Sequence, residues 1–141
     1  MRGSKTREID KNIVYSLNDT AEWQSALDAF GSTDIYFSWQ YHHLCQIDTG
    51  REARAFYASD GENRLFFPFL LKQIEGTAFH DFETCYGYSG PLSNTTDSEI
   101  LEKLWRPFFD WCETAGIIAG FIRCHPLLST ENFLPDSFTQ K

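Results

Sequence analysis

Arg64-Leu-Phe-Phe-Pro-Phe-Leu-Leu-Lys-Gln-Ile74 is the stretch on which the fold turns. Its apolar residues fall on both parities, with Leu65, Phe67, Phe69 and Leu71 on one and Phe66 and Leu70 on the other. An extended run of that kind needs cover on both faces, so it belongs inside a sheet with helices on either side. Pro68 opposes a central position because it has no N–H for a ladder, and a bulge at Pro68 reconciles the two. The preceding segment, Arg51 to Ser59, alternates with Ala53, Ala55 and Tyr57 on one side. Asp60-Gly61 is a hairpin signal, so the two runs pair antiparallel. Gly76 then turns the chain into a third antiparallel strand over about Ala78 to Cys85.

Toward the N-terminus, Asn12 to Leu17 reads as a first strand. Asp19-Thr20 opens a helix, with Glu22 placed for a capping box; Trp23, Ala26, Leu27 and Phe30 recur at helical spacing and Gly31 stops it. Asp34-Ile-Tyr-Phe37 is an extended link to a second helix from Ser38 to about Ile47. Toward the C-terminus, Tyr86-Gly-Tyr-Ser-Gly-Pro91 forms turns and leads to a helix that Thr96 and Glu99 cap as a box. Ile100, Leu101, Leu104, Trp105, Phe108, Trp111, Cys112 and Ala115 make its wide apolar stripe, Pro107 predicts a kink or restart near Lys103–Arg106, and Gly116 ends it. Ile117 to Cys124 is a further strand, reached by a right-handed crossover and so parallel to the earlier one. The order predicts one domain over residues 1–141 of α/β (α+β) class, a mixed, largely antiparallel sheet flanked by helices. Residues 130–141 read as a loosely held tail, and Met1 to Ser4 take no part in the reading.

Formal charge is −8 across 141 residues, and no Lys/Arg cluster interrupts it. A polynucleotide partner needs a basic patch that displaces counterions, so no direct nucleic-acid grip is expected. No run approaches the roughly 20 apolar residues of a membrane span, and no hydrophobic signal core opens the chain, which predicts a cytoplasmic protein without a membrane partner. Cys45, Cys85, Cys112 and Cys124 lie far apart without a Cys-x-x-Cys pair and read as reduced, buried thiols. Cys124-His125 and His42-His43 are adjacent rather than spaced as metal ligands, so no metal site is expected.

In a mixed sheet, ligands favour the crevice where strand ends diverge beside a crossover loop. That places Tyr86–Pro91 at the expected site. Its glycines, Gly87 and Gly90, permit a positive φ or close backbone approach, and its N–H groups are free to meet an anion or a carbonyl oxygen. The alternative is a tight connection whose tyrosines pack on the sheet.

Four motifs add a resemblance: Asp34-Ile-Tyr-Phe-Ser-Trp-Gln-Tyr41, Phe67-Pro-Phe-Leu-Leu71, Asp81 leading into Tyr86-Gly-Tyr-Ser-Gly-Pro91, and Phe121-Ile-Arg-Cys-His-Pro-Leu127. With the element order, they resemble the first part of the Gcn5-related N-acyltransferase fold, and within it the Fem-type peptidoglycan-bridge aminoacyltransferases. The phosphate loop usual in that superfamily, Arg/Gln-x-x-Gly-x-Gly/Ala, is absent. The similarity spans Asp34 to Leu128 and covers only the first of the two halves that Fem-type proteins carry. It implies acyl or aminoacyl transfer to an amine of a cell-envelope sugar or peptide precursor. Acyl-CoA or aminoacyl-tRNA is the implied co-substrate, with no tightly bound cofactor. A missing second half implies an unpaired edge on the last strand, which favours homo-oligomerisation or a partner. A non-catalytic ligand-binding or assembly domain, or a truncated fragment stabilised by oligomerisation, is the alternative.

Acyl transfer needs an oriented nucleophile, a proton acceptor and an oxyanion site. Tyr88, Arg123 and His125 are the candidate catalytic residues, with Tyr86, Gly87, Ser89, Gly90 and Lys72 as candidate substrate contacts. Tyr88 orients a carbonyl or donates a proton, while Arg123 and His125, two apart on a strand, share a face and grip a phosphate or carboxylate. Structural alternatives stand beside each: Arg123 paired with Asp81 or Glu83, His125 satisfied in a turn, Lys72 snorkelled at a strand end. Asp81 and Glu83 serve as a base pair or as salt-bridge partners, and Trp39 and Tyr41 as core or cleft wall. Cys85 has no basic neighbour in sequence to make it a nucleophile.

Overall fold

The computed structural model describes residues 8–31, 33–85, 89–125 and 128–135. In chain order they form β1 (Lys11–Ser16), α1 (Thr20–Asp28), a 3-10 turn at Ile35–Phe37, α2 (Trp39–Thr49), β2 (Glu52–Ser59) and β3 (Arg64–Gln73). Then come β4 (His80–Glu83), β5 (Leu92–Ser93), α3 (Ser98–Ala115), β6 (Ile117–Phe121) and a second 3-10 turn at Thr130–Phe133. The sheet order is β1-β2-β3-β4-β6, with β5 on β3. Every pairing is antiparallel except β4 with β6, which is parallel. The fold is therefore the mixed, largely antiparallel α/β sheet that the sequence predicts.

Both faces of β3 are covered, as its two apolar parities require. Phe67, Phe69 and Leu71, with Phe56 and Phe82 beside them, pack under Leu101, Leu104, Trp105 and Phe108 of α3. Ring centroids there lie 5.2 Å (Phe67–Trp105) to 6.3 Å (Phe56–Trp105) apart, mostly edge to face. Truncating one such ring to alanine costs about 3–5 kcal/mol. The opposite parity, Ala55, Tyr57 and Phe66, packs against Trp23, Leu27 and Phe37 from α1 and the first 3-10 turn.

Pro68 is accommodated differently from the predicted bulge. The β2–β3 register runs unbroken from Glu52↔Leu71 to Ser59↔Arg64, with Pro68 opposite Ala55. On its other side β3 is paired at Leu70–Gln73 by β4 and at Leu65–Phe66 by β5, and Pro68 falls in the interval between them. A residue without an N–H is tolerated there because no strand among the described residues pairs with β3 on that side.

Three helix ends depart from the sequence reading. Asp19 precedes α1 but caps none of its amides, and its carboxylate instead accepts the Ser16 N–H at 2.8 Å. Asp97, not Thr96, caps α3, accepting the N–H groups of Glu99 and Ile100 at 3.0 and 3.1 Å. α2 continues to Thr49 before Gly50 stops it in the left-handed region. α3 passes through Pro107 without a restart. The amide lost there belongs opposite exposed Lys103, whose carbonyl water can serve.

The final turn is packed rather than loose. Thr130 is buried, and the Phe133 carbonyl accepts the Trp105 indole N–H at 2.7 Å. Residues 136–141 lie outside the described residues. Two of the four cysteines are not free thiols: Cys45 of α2 and Cys85, just beyond β4, form a disulfide with Cα atoms 6.2 Å apart. Their separation of 40 residues carries no motif, so the sequence reading of four reduced thiols fails at this pair.

Candidate crevice at the parting of β4 and β6

The parallel pair β4–β6 has an irregular register, with His80 opposite Ile117 and Asp81 already opposite Ala119. After Glu83↔Phe121 the ladder ends. The Thr84 N–H still donates to the Phe121 carbonyl at 3.0 Å, but the Arg123 N–H finds the Thr84 hydroxyl, at 2.8 Å, instead of backbone. Two parallel strands thus part at their C-terminal ends, which is where open α/β sheets place ligands.

The register of β3 shows how the chain uses that opening. Pairing stops at Leu70↔Glu83 and resumes at Phe66↔Leu92, so eight residues, 84–91, stand against three of β3, 67–69. β4 and β5 thus pair with the same side of β3, and the excursion is the surplus of chain between those two pairings, of which residues 86–88 lie outside the described residues. Such insertions re-aim residues and free backbone groups from the ladder. The sequence reading made the 86–91 stretch a direct strand-to-helix loop; the structure interposes β5 between it and α3.

Thr130 pins the far end of the excursion. Its buried hydroxyl accepts the His125 N–H at 2.6 Å and donates to the Ser89 carbonyl at 3.0 Å. Gly90 sits directly over it with φ +105°, and a Cβ there would stand 2.6 Å from Thr130 Oγ1 and 3.3 Å from the Cys124 Cα. Gly90 is therefore required for close packing. Ser89 Oγ is fully buried and meets no hydrogen-bond partner among the described residues.

Arg123 and His125 do not share a face, because β6 ends at Phe121. Arg123 is exposed, with its guanidinium 4.8 Å over the Phe121 ring and 3.4 Å from the Thr84 carbonyl. His125 is buried and stacked on Phe37. Its Nδ1 accepts the Leu128 N–H at 3.3 Å, which leaves the proton on Nε2, 3.1 Å from Asp34 Oδ2. Both ring nitrogens are occupied, so the imidazole serves as a donor to Asp34 and offers no lone pair to a substrate.

Asp81 and Glu83 face the α2 side, where Arg51 bridges them at 2.8 and 3.2 Å. The cross-sheet partner read as Arg123 is therefore Arg51. Lys72 pairs with Asp81, toward the start of β4 and away from the crevice. Ser89, Gly90 and His125 are thus brought together, Arg123 borders them, and Lys72 does not join them. Tyr86, Gly87 and Tyr88 lie outside the described residues. The first turn of α3, where an anion would otherwise bind, is filled by the Asp97 carboxylate. Among the described residues, no three His, Cys, Asp or Glu side chains converge as metal ligands.

A second opening of about 730 Å³ lies under the C-terminal half of α3, lined by Phe82, Phe108, Cys112, Ile118, Gly120 and Leu134 among others. The Phe82 ring covers Gly120 so closely that a Cβ there would fall 2.1 Å from it. Burial pushes the Cys112 thiol up to about 12, so it is an uncharged part of a mostly apolar wall whose acidic member is Glu131. The outer edge of β6 is unpaired among the described residues, and Ile118 and Phe121 are 61% and 56% exposed.

Asp34, Thr84 and Thr130 were not singled out for the site by sequence. Asp34 already stood in the first resembling motif, while Thr84 and Thr130 carry no local signal. No family model, curated protein or solved structure matches this chain.

Proposed function

We propose that this chain is an acyl- or aminoacyltransferase domain that acts on an amine of a cell-envelope sugar or peptide precursor. The observation that carries the reading is the 84–91 excursion, set where the parallel strands β4 and β6 part. A crevice of this kind accepts an extended donor, and the amides of Ser89 and Gly90, beyond the β4 pairing, are the type of donor an acyl oxyanion needs. Arg123, exposed at the rim, holds the donor's phosphate or carboxylate; α3 cannot, since Asp97 already fills its first turn. Ser89 supplies a hydroxyl at the base, and Tyr88 is the residue assigned to orient the carbonyl or donate the proton. The Asp34–His125 pair, with both imidazole nitrogens engaged, fixes the floor. The acidic chain favours a CoA thioester over a charged tRNA as donor. Isothermal titration with acetyl-CoA and with a UDP-linked muropeptide tests the proposal; absence of heat with both would overturn it.

A second reading, an assembly domain, is favoured by the unpaired β6 edge with its exposed Ile118 and Phe121. Light scattering separates the two, because a monomer at high concentration contradicts self-assembly through that edge.

A further inference from the structure

The disulfide stands at the one point where the site's excursion leaves the sheet. Cys85 follows β4 by two residues and is fully buried, while Cys45, on α2, is 8% exposed. Around them Ala53 of β2 and Leu70 of β3 complete a small apolar cluster. Toward β6 the same exit is held by hydrogen bonds, from Thr84 to Phe121 and from Arg123 to Thr84. The far end is held by the Thr130 hydroxyl. The bridge is thus the only covalent restraint on the excursion among the described residues, and it ties the excursion to a helix rather than to the sheet.

We propose that the Cys45–Cys85 bridge is a redox latch, closed by a disulfide oxidant and opened by a dithiol reductant, that sets how tightly the exit of β4 is held against α2. In opening, a thiolate of the dithiol attacks the Cys45 sulfur, the more accessible of the two, and the Cys45–Cys85 bond breaks. Cys85 leaves as a thiolate and takes up a proton. The second thiol of the reductant then displaces Cys45 from the mixed disulfide. Two electrons and two protons pass to the protein, and the reductant ends as its own disulfide. Cys112 and Cys124 take no part: burial raises both thiols and they lie elsewhere, on α3 and after β6. The latch is independent of the acyltransferase reading, since it concerns only how the excursion is restrained.

The test compares the full chain equilibrated with glutathione disulfide and with dithiothreitol. Alkylation after denaturation should count two free thiols in the first and four in the second. Hydrogen exchange should quicken about tenfold at Thr84–Cys85 and Ser89–Leu92 on reduction, with β2 unchanged. The double variant Cys45→Ala/Cys85→Ala should show the reduced protein's exchange in both buffers; if it fails to fold, the wild-type comparison decides alone. Four free thiols in the oxidising buffer would overturn the latch. So would exchange that is unaltered by reduction, or that quickens equally over β2 and α3, since a staple of the whole fold would behave that way.

Discussion

Replacing Gly90 with alanine probes the site's geometry at its tightest point. A side chain at φ +105° costs about 1–3 kcal/mol in backbone strain alone. The new Cβ would also lie 2.6 Å from Thr130 Oγ1, so the hydroxyl must move away from Ser89 and from the His125 N–H. Each of those bonds is worth about 1 kcal/mol, and the Ser89 carbonyl is left without its donor. The sum is about 3–5 kcal/mol, a large fraction of the roughly 5–15 kcal/mol that holds a domain together. Urea unfolding followed by fluorescence of buried Trp23 and Trp105 reads it directly. Thr130→Ala should cost about 2 kcal/mol by itself, and Gly90→Ala in that background should cost the backbone strain and the 3.3 Å approaches to the Cys124 Cα and the Cβ of residue 130, without the hydroxyl's share. The two losses should therefore fall short of additivity. A Gly90→Ala protein as stable as wild type, or strict additivity in the cycle, would refute the packing argument.

Burial lowers His42 to about 4 while its Nε2–H bonds the Tyr36 carbonyl. The unfolded chain takes up a proton as pH falls through about 6.5 and the folded chain does not until about 4. Stability from this group is thus complete above pH 6.5 and declines by about 3 kcal/mol toward pH 4. Against His42→Gln, which keeps a donor for Tyr36, the extra slope should vanish; parallel curves for the two proteins would reject the assignment. Asp97→Ala should destabilise by about 1 kcal/mol in thermal or urea unfolding through loss of the α3 cap, whereas Thr96→Ala should change little. Gly120→Ala should cost about 1–3 kcal/mol, because its Cβ enters the Phe82 ring, and a neutral result would show that ring free to move.

The sheet was legible because its signals are local. Alternation over 51–59, two apolar parities over 65–71 and Asp60-Gly61 together determine a buried meander, and the helical stripe with Gly116 places α3. The excursion was not legible, because it exists only as a mismatch between two registers on β3, and a register is a property of pairing. Pro68 shows the consequence: sequence identifies a missing N–H, but only the neighbouring strands decide whether a bulge or a gap absorbs it. The site divides in the same way. Gly90 and Ser89 stood out as turn residues. The Asp34–His125 contact spans 91 positions and the disulfide 40, and no spacing rule predicts either. Sequence also paired Asp81 and Glu83 with the wrong arginine. Alternation gave their shared face, but the guanidinium that reaches that face enters from Arg51 at the end of α2.

The crevice's role in binding is tested most directly by titrating acetyl-CoA into wild type and Arg123→Ala while recording the melting temperature of each. Arg123 is exposed, and its loss removes a charge-assisted contact to the donor. The account predicts affinity reduced by about tenfold or more, with the melting temperature lowered only by the small amount that loss of Arg123's surface contacts with Phe121 and Thr84 entails. Unaltered affinity, or a loss that follows a large fall in melting temperature, would contradict it.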